Sequence, residues 1–126
     1  MDLEQAVLLN PAYGDAYLNR GTARVSLGDV QGALQDFTKA VTLQPGSVKA
    51  MTNRGFTKII LGDLEGALAD FNRALEFAPD YGKALWGRGS ARIRTGNQAE
   101  GCADLKKAWN SGVDSAKVEF KEYCQN

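Results

Sequence analysis

The sequence predicts an all-α fold made of stacked pairs of antiparallel helices, and the main observation is a repeat with a period of 34 residues. Proline, alanine and aspartate each recur at this spacing along the chain. The recurring positions are Pro11, Pro45 and Pro79; Ala6, Ala40, Ala74 and Ala108; and Asp2, Asp36, Asp70 and Asp104. A fixed period of this length is typical of arrays in which one two-helix unit is repeated and stacked.

Each period contains two helical segments separated by a turn. In the first copy, segment 14–27 ends at Gly28-Asp29, where glycine is typical of a helix end and aspartate of an N-cap. The next segment carries apolar residues three and four positions apart, as one buried helical face requires. These residues are Val30, Ala33, Leu34, Phe37, Ala40, Val41 and Leu43. Pro45 is expected to end this helix, because proline cannot continue it.

The second and third copies follow the same order. The second is predicted to have a helix over 48–61, a turn at Gly62-Asp63 and a helix to Phe77, followed by Pro79. The third runs over 82–95, turns at Gly96-Asn97 and continues to about Ser111. Val113 stands where a further proline is expected, so the array ends there. The predicted repeats are therefore 14–47, 48–81 and 82–112.

The two ends of the chain are expected to differ from the full repeats. Residues 2–13 match only the second helix of a unit, which indicates either a piece of a longer array or a helix covered by another chain. Residues 113–126 are expected to form a capping helix that hides the last apolar face of the array. Asp114 is its expected N-cap, and its charges are expected on the side away from the apolar stripe. The expected stripe is Ala116, Phe120, Tyr123 and Cys124.

These recurring positions resemble the tetratricopeptide repeat (TPR), which has a large residue, then Gly, Ala, an aromatic residue and Pro at this period. The first copy matches at Tyr17, Gly21, Ala33, Phe37, Ala40 and Pro45. The second matches at Met51, Gly55, Ala67, Phe71, Ala74 and Pro79. The third matches at Leu85, Gly89 and Ala108, with Gly101 and Leu105 in less typical form. The resemblance implies a right-handed α-α superhelix whose first helices line a concave, protein-binding surface.

Composition indicates which partners to expect. The chain has 15 basic and 15 acidic residues, so its zero net charge gives no general attraction to nucleic acid or to an anionic membrane. No apolar run approaches the ~20 residues of a membrane span, and the first residues do not resemble a secretory signal. We therefore expect a cytoplasmic protein with a protein or peptide partner, and neither nucleic acid nor membrane as a ligand.

Residues able to perform chemistry are few. Histidine is absent, which removes the commonest general base and metal ligand. No phosphate-binding loop, zinc-protease helix or nucleophile elbow occurs, so we expect no enzyme activity, no metal and no cofactor. Cys102 and Cys124 are expected to be reduced thiols, and the alternative is a bridge that ties the last helix to its neighbour.

Basic residues recur on the first helix of every unit. Arg20, Arg54 and Arg88 stand where the family commonly has leucine, and Arg24, Lys58 and Arg92 follow one turn later. Such pairs repel unless a carboxylate neutralises them. The recurring aspartates (Asp2, Asp36, Asp70 and Asp104) lie near the junction of first and second helices, so we predict arginine–aspartate pairs there. The alternatives are an anion site in the groove and plain solvation.

Glycine also recurs within the first helices, at Gly21, Gly55 and Gly89. Glycine inside a helix is about 0.5–1 kcal/mol less favourable than alanine. A close helix crossing would account for its presence, and we expect the small residues Ala33, Ala67 and Gly101 opposite these positions.

By resemblance, the concave surface is lined by one face of each first helix. In the first copy these residues are Asp15, Leu18, Asn19, Thr22, Val25 and Ser26. In the second they are Lys49, Thr52, Asn53, Phe56, Ile59 and Ile60, and in the third Lys83, Trp86, Gly87, Ser90, Ile93 and Arg94. Phe56 and Trp86 are the expected apolar anchors, because aromatic residues dominate interface energies. The alternative for Trp86 is that it only packs against the capping helix.

One branch of the family grips the terminal carboxylate of chaperone tails. It uses Lys and Asn on one helix, Asn on the next, and Lys and Arg on the third. Here the corresponding positions hold Leu18, Thr22, Asn53, Lys83 and Gly87, so only two of the five match. We therefore predict an interaction scaffold without that specificity, with a weaker preference for acidic peptides left open. The alternative function is self-association through the unpaired N-terminal helix.

Overall fold

The computed structural model describes residues 13–125, and this part of the chain is folded into seven helices and no strand. The helices are α1 (Gly14–Ser26), α2 (Val30–Leu43), α3 (Val48–Ile60), α4 (Leu64–Phe77), α5 (Gly82–Arg94), α6 (Gln98–Asn110) and α7 (Asp114–Tyr123). None of these helices has the length and apolar character needed to cross a membrane. The predicted half repeat 2–13, with Asp2, Ala6 and Pro11, lies outside the described residues.

The helices form a right-handed superhelix of antiparallel pairs, as the sequence predicts. Each helix packs against the helices before and after it in the chain. In addition α1 contacts α3, α3 contacts α5, and α5 contacts α7, whereas α2, α4 and α6 do not contact one another. The first helices of the pairs therefore lie closer together than the second helices, which places α1, α3 and α5 on the inner side of the curve.

The turns follow from local backbone chemistry. The glycines that end α1, α3, α5 and α6 have φ between 84° and 103°, a conformation that residues with a Cβ rarely adopt. They are Gly28, Gly62, Gly96 and Gly112. The Asp29 and Asp63 carboxylates accept the backbone N–H groups of Gly32 and Gly66, so both aspartates are N-caps. Asn97 occupies the same position before α6 without a side-chain cap bond.

The core lies between the first and second helices. Its largest fully buried side chains include Phe37, Phe71 and Leu105, at the same position in α2, α4 and α6. The central glycines provide room for them, since a Cβ at Gly55 would lie 2.7 Å from the ring of Phe71.

The residue facing each central glycine differs in part from the expectation. The nearest atoms to Gly21 and Gly55 belong to the rings of Phe37 and Phe71, rather than to Ala33 and Ala67. Only Gly89 faces its expected small partner, because a Cβ there would lie 2.9 Å from the Gly101 carbonyl oxygen. The central glycine therefore makes room for an aromatic ring in the first two helix pairs. In the third pair it allows the two helix backbones to approach closely.

The capping helix α7 corrects three expectations. Val113 is its N-cap, and Asp114 is already the first helical residue, so Asp114 does not cap it. Ala116 is fully buried, but Tyr123 is 48% exposed and is not part of a buried stripe. The charges are not all on the outer side, because Glu119 bonds to Trp86 on α5.

A disulfide joins Cys102 in α6 to Cys124 at the end of α7. The expectation of two reduced thiols is therefore wrong, and the alternative of a bridge to the neighbouring helix is what the structure has. The reason is geometric: the antiparallel packing of α6 and α7 brings their distant ends together, with the two Cα atoms 5.7 Å apart. The two cysteines are 22 positions apart in the sequence.

Replacing both cysteines by serine, or reducing the native chain with a dithiol, should lower the melting temperature. Cross-links of this loop length stabilise by about 3 kcal/mol, mainly by restricting the unfolded chain. Thermal unfolding followed by circular dichroism tests this. Dithiol should leave the melting temperature of the double-serine variant unchanged. Identical melting of the native chain with and without dithiol would contradict the prediction.

Candidate binding groove

Three buried aspartates on the second helices bind arginines of the first helices. Arg54 Nε and Nη2 donate to the two carboxylate oxygens of Asp70 at 2.9 and 2.7 Å. Arg20 binds Asp36 with the same two distances, and Arg88 binds Asp104 at 2.9 Å through both nitrogens. Each pair is bidentate, the geometry in which a guanidinium group binds a carboxylate most strongly. Asp2 lies outside the described residues.

A second cation reaches each aspartate from one turn further along the first helix. Arg24 Nη1 lies 3.1 Å from Asp36, Lys58 Nζ 3.0 Å from Asp70, and Arg92 Nη1 2.8 Å from Asp104. The aspartate side chains are at most 5% exposed. One carboxylate therefore lies between two cations that would otherwise repel each other, and all six basic side chains are held at the junction of the helices.

The inner surface of α1, α3 and α5 forms a groove of about 390 Å³. Its lining combines apolar side chains with amides, hydroxyls and two lysines. The lining residues are Asn19, Thr22, Val25, Ser26, Phe37, Lys49, Asn53, Phe56, Thr57, Ile60, Lys83 and Trp86. None of the paired arginines is among them, so the arginines belong to the helix junctions and not to the groove.

An aromatic cluster contributes Phe56 and Trp86 to the apolar lining of the groove, above buried Phe71. The ring centroid of Phe56 lies 4.9 Å from that of Trp86 and 5.1 Å from that of Phe71, with Phe56 and Phe71 edge to face. Gly87 makes this packing possible, because a Cβ there would lie 2.3 Å from Cζ of Phe71 and 3.0 Å from Cζ of Phe56.

The groove brings together ten of the eighteen residues assigned to it from the sequence: Asn19, Thr22, Val25, Ser26, Lys49, Asn53, Phe56, Ile60, Lys83 and Trp86. Leu18 and Thr52 do not line it, because both are buried, at 6% and 0% exposure. Asp15 is exposed outside the groove. Ser90 and Arg94 line a second cavity, of about 440 Å³, with Ile93, Glu119, Glu122 and Tyr123.

Two groove residues were missed by sequence reasoning. Thr57 follows Asn53 by four positions and precedes Ile60 by three. This helical spacing places Thr57 on the same face as the other groove residues, so it could have been predicted from the sequence. Phe37 was assigned to the core, where it is indeed 2% exposed, and its ring also forms part of the groove surface.

The polar groups of the groove are available to a ligand. Within residues 13–125, the side-chain amides of Asn19 and Asn53 make no hydrogen bond, and the ammonium groups of Lys49 and Lys83 have no ion pair. No carboxylate belongs to the lining of this groove among the described residues. The surface therefore offers two cations and two free amides beside an aromatic cluster.

Trp86 lies at the end of the groove nearest the capping helix. Its indole N–H donates to Glu119 Oε1 at 2.8 Å, and the hydroxyl of Ser90 donates to Glu119 Oε2. Trp86 therefore has both of the roles considered for it, since its ring lines the groove and its indole nitrogen contacts α7.

Comparison with known proteins supports the repeat assignment. Two family models, both described as tetratricopeptide repeat, match residues 2–48 and 48–81, which together exceed half of the chain. No curated protein sequence matches.

Solved structures with this fold are similar over most of the chain. The first TPR of Spaghetti (RPAP3), bound to the HSP90 peptide SRMEEVD, is 22% identical, with 87% of this chain and 89% of that chain covered and a TM-score of 0.82. The Arabidopsis OM64 TPR domain is 23% identical (88% and 93% covered, TM-score 0.83). The first TPR domain of human RPAP3 is 22% identical (90% and 91% covered, TM-score 0.84). At these identities the likeness concerns the fold alone.

Arg54→Leu, Asp70→Leu and the double variant should show strongly non-additive losses of stability. Removing Asp70 leaves two cations without their carboxylate and should lower the free energy of unfolding by about 3 kcal/mol. Arg54→Leu should cost less, because Lys58 still faces Asp70. The coupling between the two substitutions should be about 1–3 kcal/mol in urea unfolding. Glu76→Leu, at an exposed position of the same helix α4, is the control. Additive effects would contradict the pairing.

Gly87→Ala should destabilise the chain by about 1–3 kcal/mol, because the new methyl group overlaps the rings of Phe71 and Phe56. Gly46→Ala is the matched control, since a Cβ there meets only Phe77, at an ordinary 3.8 Å. The two variants are compared by urea unfolding, and near-ultraviolet circular dichroism reports the aromatic cluster. Equal stabilities would show that Gly87 is not required for this packing.

Proposed function

Because the chain belongs to the tetratricopeptide repeat family, we propose that it is a non-enzymatic interaction module that binds a peptide or helix of a partner protein in its groove. The TPR fold serves as a protein–protein interaction module, and this supports the proposed function. The observation that carries the proposal is the groove itself, in which an aromatic cluster lies beside unpaired amides and lysines. Ligand sites of this kind are concave and mostly apolar, with a few placed polar groups.

An extended peptide can use both kinds of surface. Phe56 and Trp86 offer ring faces to one apolar side chain, and such anchors carry much of the binding energy in interfaces. Asn19 and Asn53 each provide an amide that can donate to and accept from peptide backbone groups. Because the two asparagines lie on adjacent first helices, they would contact successive parts of one extended ligand.

The charge of the groove favours an acidic ligand. Lys49 and Lys83 supply positive charge, and the lining has no carboxylate to oppose it. Complementary charge raises the association rate and excludes partners of the same sign. The whole chain is neutral, so this preference comes from the local arrangement and not from net charge.

We do not extend the proposal to the carboxylate grip of chaperone-binding relatives. The RPAP3 domain has a bound HSP90 peptide, SRMEEVD. In this chain Leu18 stands at the position of the first lysine of that grip, and its side chain is buried. Gly87 stands at the position of the arginine, where there is no space for a side chain. Asn53 and Lys83 alone would not provide all the contacts that this grip makes with a peptide's terminal carboxylate.

Three further properties stay proposals. A cytoplasmic location and the absence of a nucleic-acid partner follow only from composition, and self-association involves residues 2–13, outside the described part of the chain. Light scattering on the full chain, with and without peptide, tests the last point. A monomer that binds peptide would exclude self-association as the function, and a tight dimer that binds none would favour it.

Lys49→Glu/Lys83→Glu should weaken binding of a short, fluorescein-labelled peptide of glutamates around one leucine. Reversing two groove charges should reduce affinity about tenfold, because each acts as a rim charge on an acidic ligand. The native chain should prefer this peptide over its lysine counterpart, and the double variant should lose that preference. Fluorescence anisotropy gives the dissociation constants.

Lys39→Glu/Arg73→Glu is the matched control, since it makes the same charge change at exposed positions of α2 and α4. It should bind like the native chain. Asn53→Ala/Trp86→Ala should weaken binding without abolishing the charge preference. Equal affinity for the acidic and basic peptides, or equal loss in the control, would contradict the proposal.

A further inference from the structure

We propose that Trp86 and Ser90 form a carboxylate-binding subsite that Glu119 of the same chain occupies, and that an acidic side chain of a ligand displaces Glu119 there. This inference rests on the proposed function, because it identifies where such a ligand would place one of its carboxylates. The subsite lies on α5, and its present occupant comes from the capping helix α7.

The two donors are arranged for a carboxylate. Trp86 and Ser90 are four positions apart on α5 and therefore lie on one face of the helix. The indole N–H donates to one oxygen of Glu119 at 2.8 Å, and the hydroxyl donates to the other. Ser90 is only 7% exposed, so its hydroxyl is shielded from water. Hydrogen bonds to a charged acceptor are the stronger class, so these donors bind a carboxylate better than a neutral group.

The contacts of the Glu119 side chain allow a ligand carboxylate to replace it. Among the described residues it has no ion pair, so only neutral donors hold its charge. Its side chain is partly exposed. The backbone of α7 is fixed separately by buried Ala116, by contact of Phe120 with Trp109 and by the Cys102–Cys124 disulfide. Displacement therefore needs a change of the Glu119 side chain and not detachment of α7.

Glu119 lines the second cavity and is bonded to Trp86, which lines the groove. Trp86 lines the groove of about 390 Å³, and Ser90 and Glu119 line the second cavity of about 440 Å³. The Trp86–Glu119 bond therefore spans the boundary between them. With this side chain moved aside, a ligand bound in the groove could continue past Trp86 toward the second cavity, which exposed Arg94 at the end of α5 also lines.

The test uses acetate as a carboxylate probe, without any peptide. The indole N–H of Trp86 is observed by ¹⁵N–¹H NMR, and Trp109→Phe assigns its signal among the two tryptophans. Glu119→Ala should show a saturable shift of this signal with sodium acetate, but not with sodium chloride at equal ionic strength. The native chain should need roughly tenfold more acetate, as expected for competition by a hydrogen-bonded charge.

Glu122→Ala is the matched control, because Glu122 lines the same cavity on the same helix without a bond to Trp86. It should respond like the native chain. Ser90→Ala in the Glu119→Ala background should weaken the response, and circular dichroism establishes that each variant stays folded. No acetate response in Glu119→Ala, or an equal response in all variants, would overturn the subsite. Because no peptide is present, either result leaves the separate test of groove binding unaffected.

Discussion

The pairing of a buried carboxylate with two cations is the interaction on which the rest of this structure depends. An unpaired charge in the core would be strongly unfavourable, so each buried aspartate requires its partners to be in place. The guanidinium group binds through two parallel hydrogen bonds, which fixes both distance and direction. In the middle repeat, Arg54 and Lys58 of α3 thereby determine how α3 sits on Asp70 of α4. The same arrangement recurs in the flanking repeats, so one local rule sets the register of three helix pairs.

This arrangement also decides what the groove contains. Since the arginines are held at the helix junctions, the inner face of α1, α3 and α5 is left to amides, hydroxyls, aromatic rings and two lysines. The glycines contribute in a second way. Gly55 and Gly87 leave room for the ring of Phe71, and Phe56 and Trp86 complete the aromatic cluster in the groove. The supporting contacts and the ligand-facing chemistry are therefore separate sets of residues on the same helices.

The periodic features could be predicted from the sequence more fully than the non-periodic ones. The spacing of 34 residues gave the helices of the full repeats, because each turn has its own glycine and cap signal. The groove was predicted only in part, since the burial of Leu18 and Thr52 depends on how the helices pack together, which the repeat pattern does not specify. The disulfide and the contact of Glu119 with Trp86 depend on how the last helix docks, an event that occurs once and leaves no repeated pattern.

The most direct test of this separation is a ¹⁵N–¹H NMR titration of the native chain with the acidic peptide. The account predicts that backbone shifts map to α1, α3 and α5, with the side-chain amides of Asn19 and Asn53 among the largest changes. The Nε–H signals of Arg54 and Arg88 should stay in place, because both remain bound to their aspartates. Shifts concentrated on α2 and α4, or movement of the arginine signals on binding, would contradict the account.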